Sequence, residues 1–165
     1  MRQKLIVAAF ASVLMIAVLR FQGASLTTLN SSRGIVDLEL ATKPSQVSAL
    51  MDSWDLTVVK MNIWLDFLFI VSYVAFLALA SEAVSSKWKN QGMRVIGLTL
   101  ARVALVTGVL DIGENLLMLQ TIAGNFTLVS LQLTHYFATI KFTLAAIVII
   151  YLLISIPVIF RNTKL

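Results

Sequence analysis

Four long apolar stretches constrain this chain more than any other feature. They run from about Leu5 to Phe21, Met61 to Val84, Arg94 to Ile122 and Leu131 to Phe160. A helix needs about 20 residues to cross a hydrocarbon core of about 30 Å, and a helix satisfies its backbone groups internally. The pattern predicts an all-α integral membrane protein: an antiparallel four-helix transmembrane bundle forming a single membrane domain over residues 1–165. Only 13% of the residues are charged, against roughly 25% in soluble domains. There is no cysteine, so disulfides, thiolate catalysis and Cys-based metal sites are excluded.

The basic residues orient the spans. Arg2, Lys4, Lys87, Lys89, Arg94, Arg161 and Lys164 fall on one side, and only Arg33, Lys43 and Lys60 on the other. The positive-inside rule then makes both termini cytoplasmic. The net charge of +5 reflects this topology and gives no reason to expect a nucleic-acid partner. Met1–Lys4 followed by Leu5–Leu19 also fits the layout of a signal peptide. Gln22 is poor where cleavage wants a small residue, so span 1 is read as an uncleaved anchor.

Residues 23–60 form an extracytoplasmic loop. Ser31-Ser32-Arg33-Gly34 reads as a turn. Residues 35–41 suit either a short extended piece or one helical turn. Pro44 is placed to open a helix. Val47, Leu50, Met51 and Trp54 then follow at i, i+3, i+4 and i+7, an amphipathic stripe. The stripe is expected to lie on the membrane with Trp54 at headgroup level. The other reading is a lid over an outward-opening site.

Ionisable residues inside spans are costly and mark function by default. Counted at about 1.5 Å per residue from the outer surface, Asp66 and His135 lie roughly 6–8 Å deep, Glu114 and Asn115 roughly 10–12 Å, and Asp111 and Lys141 about 16 Å. Nearly all of them fall in the outer half. Arg102, with Glu82 near the boundary, is the inner exception and is expected to snorkel or to meet Glu82. Thr107, Asp111, Glu114 and Asn115 share one side of span 3. Asn62, Asp66 and Tyr73 share a side of span 2, and Gln132, His135, Tyr136 and Thr139 a side of span 4. Equal depth makes Asp111 and Lys141 natural ion-pair partners. Arg20 and Lys141 oppose Asp66, Asp111 and Glu114. The excess negative charge predicts a protonated acid, a charged His135 or a bound cation.

Di-metal carboxylate bundles use more acids and a Glu-x-x-His spacing. That spacing is missing, as are His-Glu-x-x-His, phosphate-cradling glycine loops and a Gly-x-Ser-x-Gly elbow. No metal and no cofactor are expected.

Asp37-Leu38-Glu39-Leu40-Ala41, Trp54, Leu65-Asp66-Phe67-Leu68-Phe69 and Leu110-Asp111-Ile112-Gly113-Glu114-Asn115 together resemble a set of small bacterial four-span inner-membrane proteins. The resemblance covers about residues 35–150. It implies a bacterial inner membrane and draws attention to Glu39, which would reach the outer polar cluster from the loop. The set has no established activity, so it carries no catalytic residues across.

Three functions fit these residues. The first is binding or transport of a small molecule, lipid headgroup, proton or cation in an outer polar pocket. Its residues would be Asp66, Asp111, Glu114, Asn115, His135, Lys141, Glu39 and Tyr73. The second is acid–base catalysis on a lipid-like substrate by Asp111, Glu114 and His135. The third is a structural subunit whose polar groups meet a membrane-protein partner.

Overall fold

The computed structural model describes residues 2–161, and its architecture is all-helical. Helix α1 spans Arg2–Gln22 and leads through a 3-10 turn, Ala24–Leu26, into two short helices, α2 (Val36–Glu39) and α3 (Pro44–Ser53). Three long helices follow: α4 (Leu56–Ser85), α5 (Gln91–Ile122) and α6 (Leu128–Arg161). Helices α1, α4, α5 and α6 are each long and apolar enough to cross a membrane.

Helix starts are decided by capping side chains. Asp55 accepts a hydrogen bond from the Thr57 amide at 2.8 Å, so α4 begins at Leu56, ahead of its apolar run. Asn90 does the same for the Met93 amide at 3.1 Å and starts α5 at Gln91. Ahead of α6, Thr127 and Ser130 each accept from the other's amide, at 3.1 and 2.8 Å. Such caps satisfy donors that an apolar stretch leaves free. Hydropathy therefore marks where lipid is tolerated rather than where the helix begins.

Helices α4, α5 and α6 pack against one another, while α1 lies chiefly along α4. Only Ala8 and Ser12 of α1 are buried. The layout is thus a three-helix core with α1 on its flank. Side-chain pairs across α4 and α5 join Asp66 to Asn115 and Tyr73 to Asp111. At the end remote from α2 and α3, Leu77, Val84, Leu100, Ala104, Val148 and Tyr151 form an apolar cluster. There the Trp88 indole donates to Ser155 Oγ at 3.0 Å.

Residues 23–55 fold into a cap over the other end. Gly34, with φ +62°, makes the turn that residues 31–34 predict. Residues 36–39 take the helical alternative, and Pro44 opens α3 with Gln46 accepting from the Lys43 amide at 3.0 Å. The α3 stripe corrects the headgroup expectation. Val47, Leu50 and Trp54 are buried with Leu26, Leu38, Val59, Ile63, Met118 and Leu131. The Trp54 indole donates to Leu26 O at 2.8 Å and Ser31 Oγ at 3.0 Å. An amphipathic stripe satisfies itself equally against lipid or protein. Here the ends of α4, α5 and α6 supply apolar side chains, and each buried Leu or Val contributes roughly 1.5–3 kcal/mol on leaving water.

Candidate functional site

The buried polar groups gather just beneath the cap. On α5, Thr107, Asp111, Glu114 and Asn115 are all buried, so the polar side read from spacing faces inward. The Thr107 hydroxyl bonds its own helix at Ala104 O. The other three reach across to other elements or line a cavity.

Lys141 of α6 is the hub. Its Nζ donates to Asp111 Oδ1 at 2.5 Å and to Glu114 Oε1 at 3.0 Å. Equal depth predicts the Asp111 pairing, and Glu114 joins it one turn along α5. Glu39, carried in by α2, brings Oε2 to 3.6 Å from the same nitrogen. The Tyr73 hydroxyl donates to Asp111 Oδ2 at 2.8 Å, so both Asp111 oxygens are held. Three carboxyl groups thus surround one ammonium, all four side chains nearly out of solvent. One positive charge cannot balance three buried negative ones, and burial of unpaired charge is strongly unfavourable. Burial raises the Glu39 carboxyl above the ordinary carboxylate range despite the pull of Lys141, and Asp111 adds to the rise. A proton on Glu39 relieves part of the excess.

Beside this hub lies a cavity of about 640 Å³, walled by the end of α1, the cap, α4 and α5. Glu39, Asn62, Asp66, Asn115 and Met118 line it, with the exposed Arg20 and Arg33 at its outer edge. The Asn115 amide donates to Asp66 Oδ2 at 2.7 Å. Its Oδ1 is buried without a hydrogen-bond partner, and so is Glu39 Oε2. Asn62 donates to Gln22 Oε1 at 2.7 Å and ties α4 to α1, not to α5. Arg33 chelates Asp37 four residues on, at 2.6 Å.

The side of α6 that carries Gln132, His135, Tyr136 and Thr139 turns mostly outward. Gln132, Tyr136 and Thr139 are exposed, and His135 is half-buried with Nδ1 3.3 Å from Leu40 O. The inward side carries Leu131, Thr134, Ala138, Lys141 and Val148. A buried ammonium needs carboxylates, whereas the Thr139 hydroxyl bonds its own helix at His135 O. Lys141 therefore decides the rotation. The His135 ring meets the Leu40 carbonyl of the cap, while Asp111 and Glu114 meet Lys141. Arg102 and Glu82 are both exposed on the flank of the bundle.

Ile63, Met118 and Arg33 are among the residues of the cavity wall. No spacing in the sequence singles them out, because they meet only when the cap closes. Glu39 lies outside the spans, and only the fold of the cap brings it to Lys141. No family model, curated protein or solved structure matches the chain. Its chemistry is read from the site itself.

Proposed function

We propose that this chain is a multi-pass protein of a bacterial inner membrane, an antiparallel bundle with both termini cytoplasmic. Its outer cavity binds a small ligand bearing positive charge or hydrogen-bond donors. Three regularities support the orientation. The basic residues crowd the side opposite the cap. The α4–α5 pairs run in opposite sequence order, Asp66 with Asn115 and Tyr73 with Asp111. Ionisable side chains concentrate in the half nearer the cap. The resemblance to small bacterial four-span inner-membrane proteins agrees with this placement.

One observation carries the binding reading. Glu39, Asp66 and Asn115 line one cavity, and Glu39 and Asn115 each keep a buried oxygen without a hydrogen-bond donor. An unsatisfied buried acceptor costs about 1–3 kcal/mol, so the empty site is under-satisfied and a donor-bearing ligand that draws these side chains towards it recovers part of that cost. The apolar cluster of Leu77, Val84, Leu100, Ala104 and Val148 fills the far half. That filling favours binding over conduction through the bundle.

The test is native mass spectrometry of the protein in mild detergent. Wild type is compared with Ala24→Trp, which fills the cavity from an exposed position on its wall. A small molecule, lipid or cation retained by wild type and lost in the variant is the expected result. Bare protein in both samples would overturn the reading in favour of a structural subunit.

A further inference from the structure

A second concave surface lies away from the cap, between α1 and α4. The end of α1 is tied to the start of α4 by polar contacts. Gln22 Nε2 donates to Val58 O at 3.0 Å, and Asn62 Nδ2 donates to Leu19 O at 3.3 Å. Beyond that tie the two helices leave a groove of about 750 Å³, with Ala8, Ala11 and Met15 on one wall and Ser72 and Ala75 on the other. It shares no lining residue with the cavity under the cap. The Ser72 hydroxyl is spent on Phe69 O of its own helix at 2.8 Å, so these walls offer hydrocarbon. Gln3 and Lys4, both exposed, stand together at one end of the groove. From Lys4 to Met15 it covers about 16 Å at about 1.5 Å per residue. That is half of a hydrocarbon core of about 30 Å, the half remote from the cap. Arg2, Lys4, Lys87, Lys89 and Arg94 all fall at this end, against Glu82 as its one acid. The other acids belong to the cap and to the polar groups beneath it.

We propose that this groove seats one acyl chain of an anionic phospholipid such as phosphatidylglycerol, drawn from the leaflet remote from the cap, with its phosphate at Lys4. The inference goes beyond the ligand cavity and does not depend on it. In a bilayer, an apolar groove left open forfeits dispersion contacts along its walls. A lipid chain restores them, and one leaflet supplies a chain of the groove's length. A crossing helix of a second copy fits less well, because it needs about 20 residues to span the core, or about twice that length. The headgroup follows from the charge. A lysine at the membrane surface attracts anionic lipid, and the basic excess at this end acts in the same direction. A zwitterionic lipid brings the same chain without the net charge.

The purified full-length protein is reconstituted in bilayers of mixed phosphatidylglycerol and phosphatidylcholine, each in turn carrying a photoreactive acyl chain. Crosslinked residues are mapped by mass spectrometry, and lipid retained in mild detergent is counted by native mass spectrometry. The expected result is crosslinking concentrated on residues 7–15 and 68–79, with phosphatidylglycerol preferred about fivefold, the worth of one lysine at an anionic headgroup. Ala11→Leu, which fills the groove from a half-buried position, should lose the retained lipid. Lys4→Gln, on an exposed side chain, should abolish the preference, and Lys60→Gln, exposed near the cap end of α4, should keep it. Ala24→Trp, which fills the other cavity, should leave this lipid in place. Crosslinks spread evenly over all four long helices would overturn the groove as a site. Equal use of phosphatidylcholine, or a preference that survives Lys4→Gln, would overturn the anionic headgroup at Lys4. Loss of the same lipid in Ala24→Trp would move it to the cavity and overturn the inference. A dimer that Ala11→Leu splits would make the groove a seam between copies and overturn the lipid seat.

Discussion

Glu39 of the cap and Lys141 of α6 face each other at 3.6 Å, close enough for attraction but too far for a hydrogen bond. Lys141 gives its short contacts to Asp111 and Glu114. Glu39 is therefore the loosest member of the hub, and it is the one carried on a short helix outside the bundle. The cap is tied to the bundle by an apolar seam around Trp54, by the contact of His135 with the Leu40 carbonyl and by this incompletely paired carboxyl group.

Removing the ammonium should be far more damaging than neutralising Glu39. Lys141→Met strands Asp111 and Glu114 out of water, and breaking a buried pair in this way costs about 3–5 kcal/mol. Glu39→Gln keeps the shape and removes a charge the hub does not need, so its cost should stay under about 1 kcal/mol. Combining Lys141→Met with Asp111→Asn and Glu114→Gln should recover most of the loss. Denaturation in mild detergent would show the order, and a neutral Lys141→Met would deny the hub its structural role.

Stability should fall as pH rises. The Glu39 carboxyl lies above its ordinary value of 4.5 when the cap is docked, through burial. Its contribution is fully present below that ordinary value and is lost as pH climbs through the raised one. The groups around it are Lys141, Asp111, Glu114 and Asp66. Thermal midpoints of empty protein between pH 5 and pH 9 should decline, and Glu39→Gln should flatten the slope. Equal slopes in both proteins would assign the titration elsewhere.

Cation binding should run the other way. A cation bound beside Glu39 replaces the proton, so affinity should strengthen as pH rises and binding should release protons. Calorimetry in two buffers of different ionisation enthalpy measures that release. No buffer dependence would mean that Glu39 binds no cation.

Trp54→Phe should loosen the cap locally. It removes the indole donor to Leu26 O and Ser31 Oγ. Leu26 O keeps the Ser31 hydroxyl at 2.6 Å, so the cost should stay near the ~1 kcal/mol of a typical hydrogen bond. Trp54→Ala adds a cavity and should cost about 3–5 kcal/mol. Proteolysis within residues 23–55 should speed up in that order. Unchanged cleavage would place the cap's stability outside the Trp54 seam.

Gly97 should be hard to replace. A Cβ there would overlap the Tyr151 hydroxyl and crowd Ser85, and the Tyr151 hydroxyl is itself held on Met93 O at 3.2 Å. Gly97→Val should cost roughly 1–3 kcal/mol by overpacking. Gly124, with open space around its Cβ position, fails only through its positive φ. A Gly97→Val protein with unchanged unfolding would show that Tyr151 yields.

The four long helices, the inward side of α5 and the Asp111–Lys141 pairing were legible in the sequence, because each depends on local hydropathy, helical spacing or depth. A long apolar run needs no partner to declare itself a span, and residues at i, i+4, i+7 and i+8 share a face in any helix. The rotation of α6 was not legible. Spacing puts Gln132, Tyr136 and Thr139 on one side without telling whether that side faces in or out, and the Lys141 ammonium, which does not tolerate isolation, turns the other side inward. Nor could the sequence place Trp54, since an apolar stripe is buried equally well in lipid or in protein. Docking of the cap settled that choice, and the same event brought Glu39 to Lys141 and closed the cavity. Spacing along the chain determines which residues share a helix face. Only tertiary packing decides which faces meet, because charge pairing and apolar burial between distant segments have no local signature.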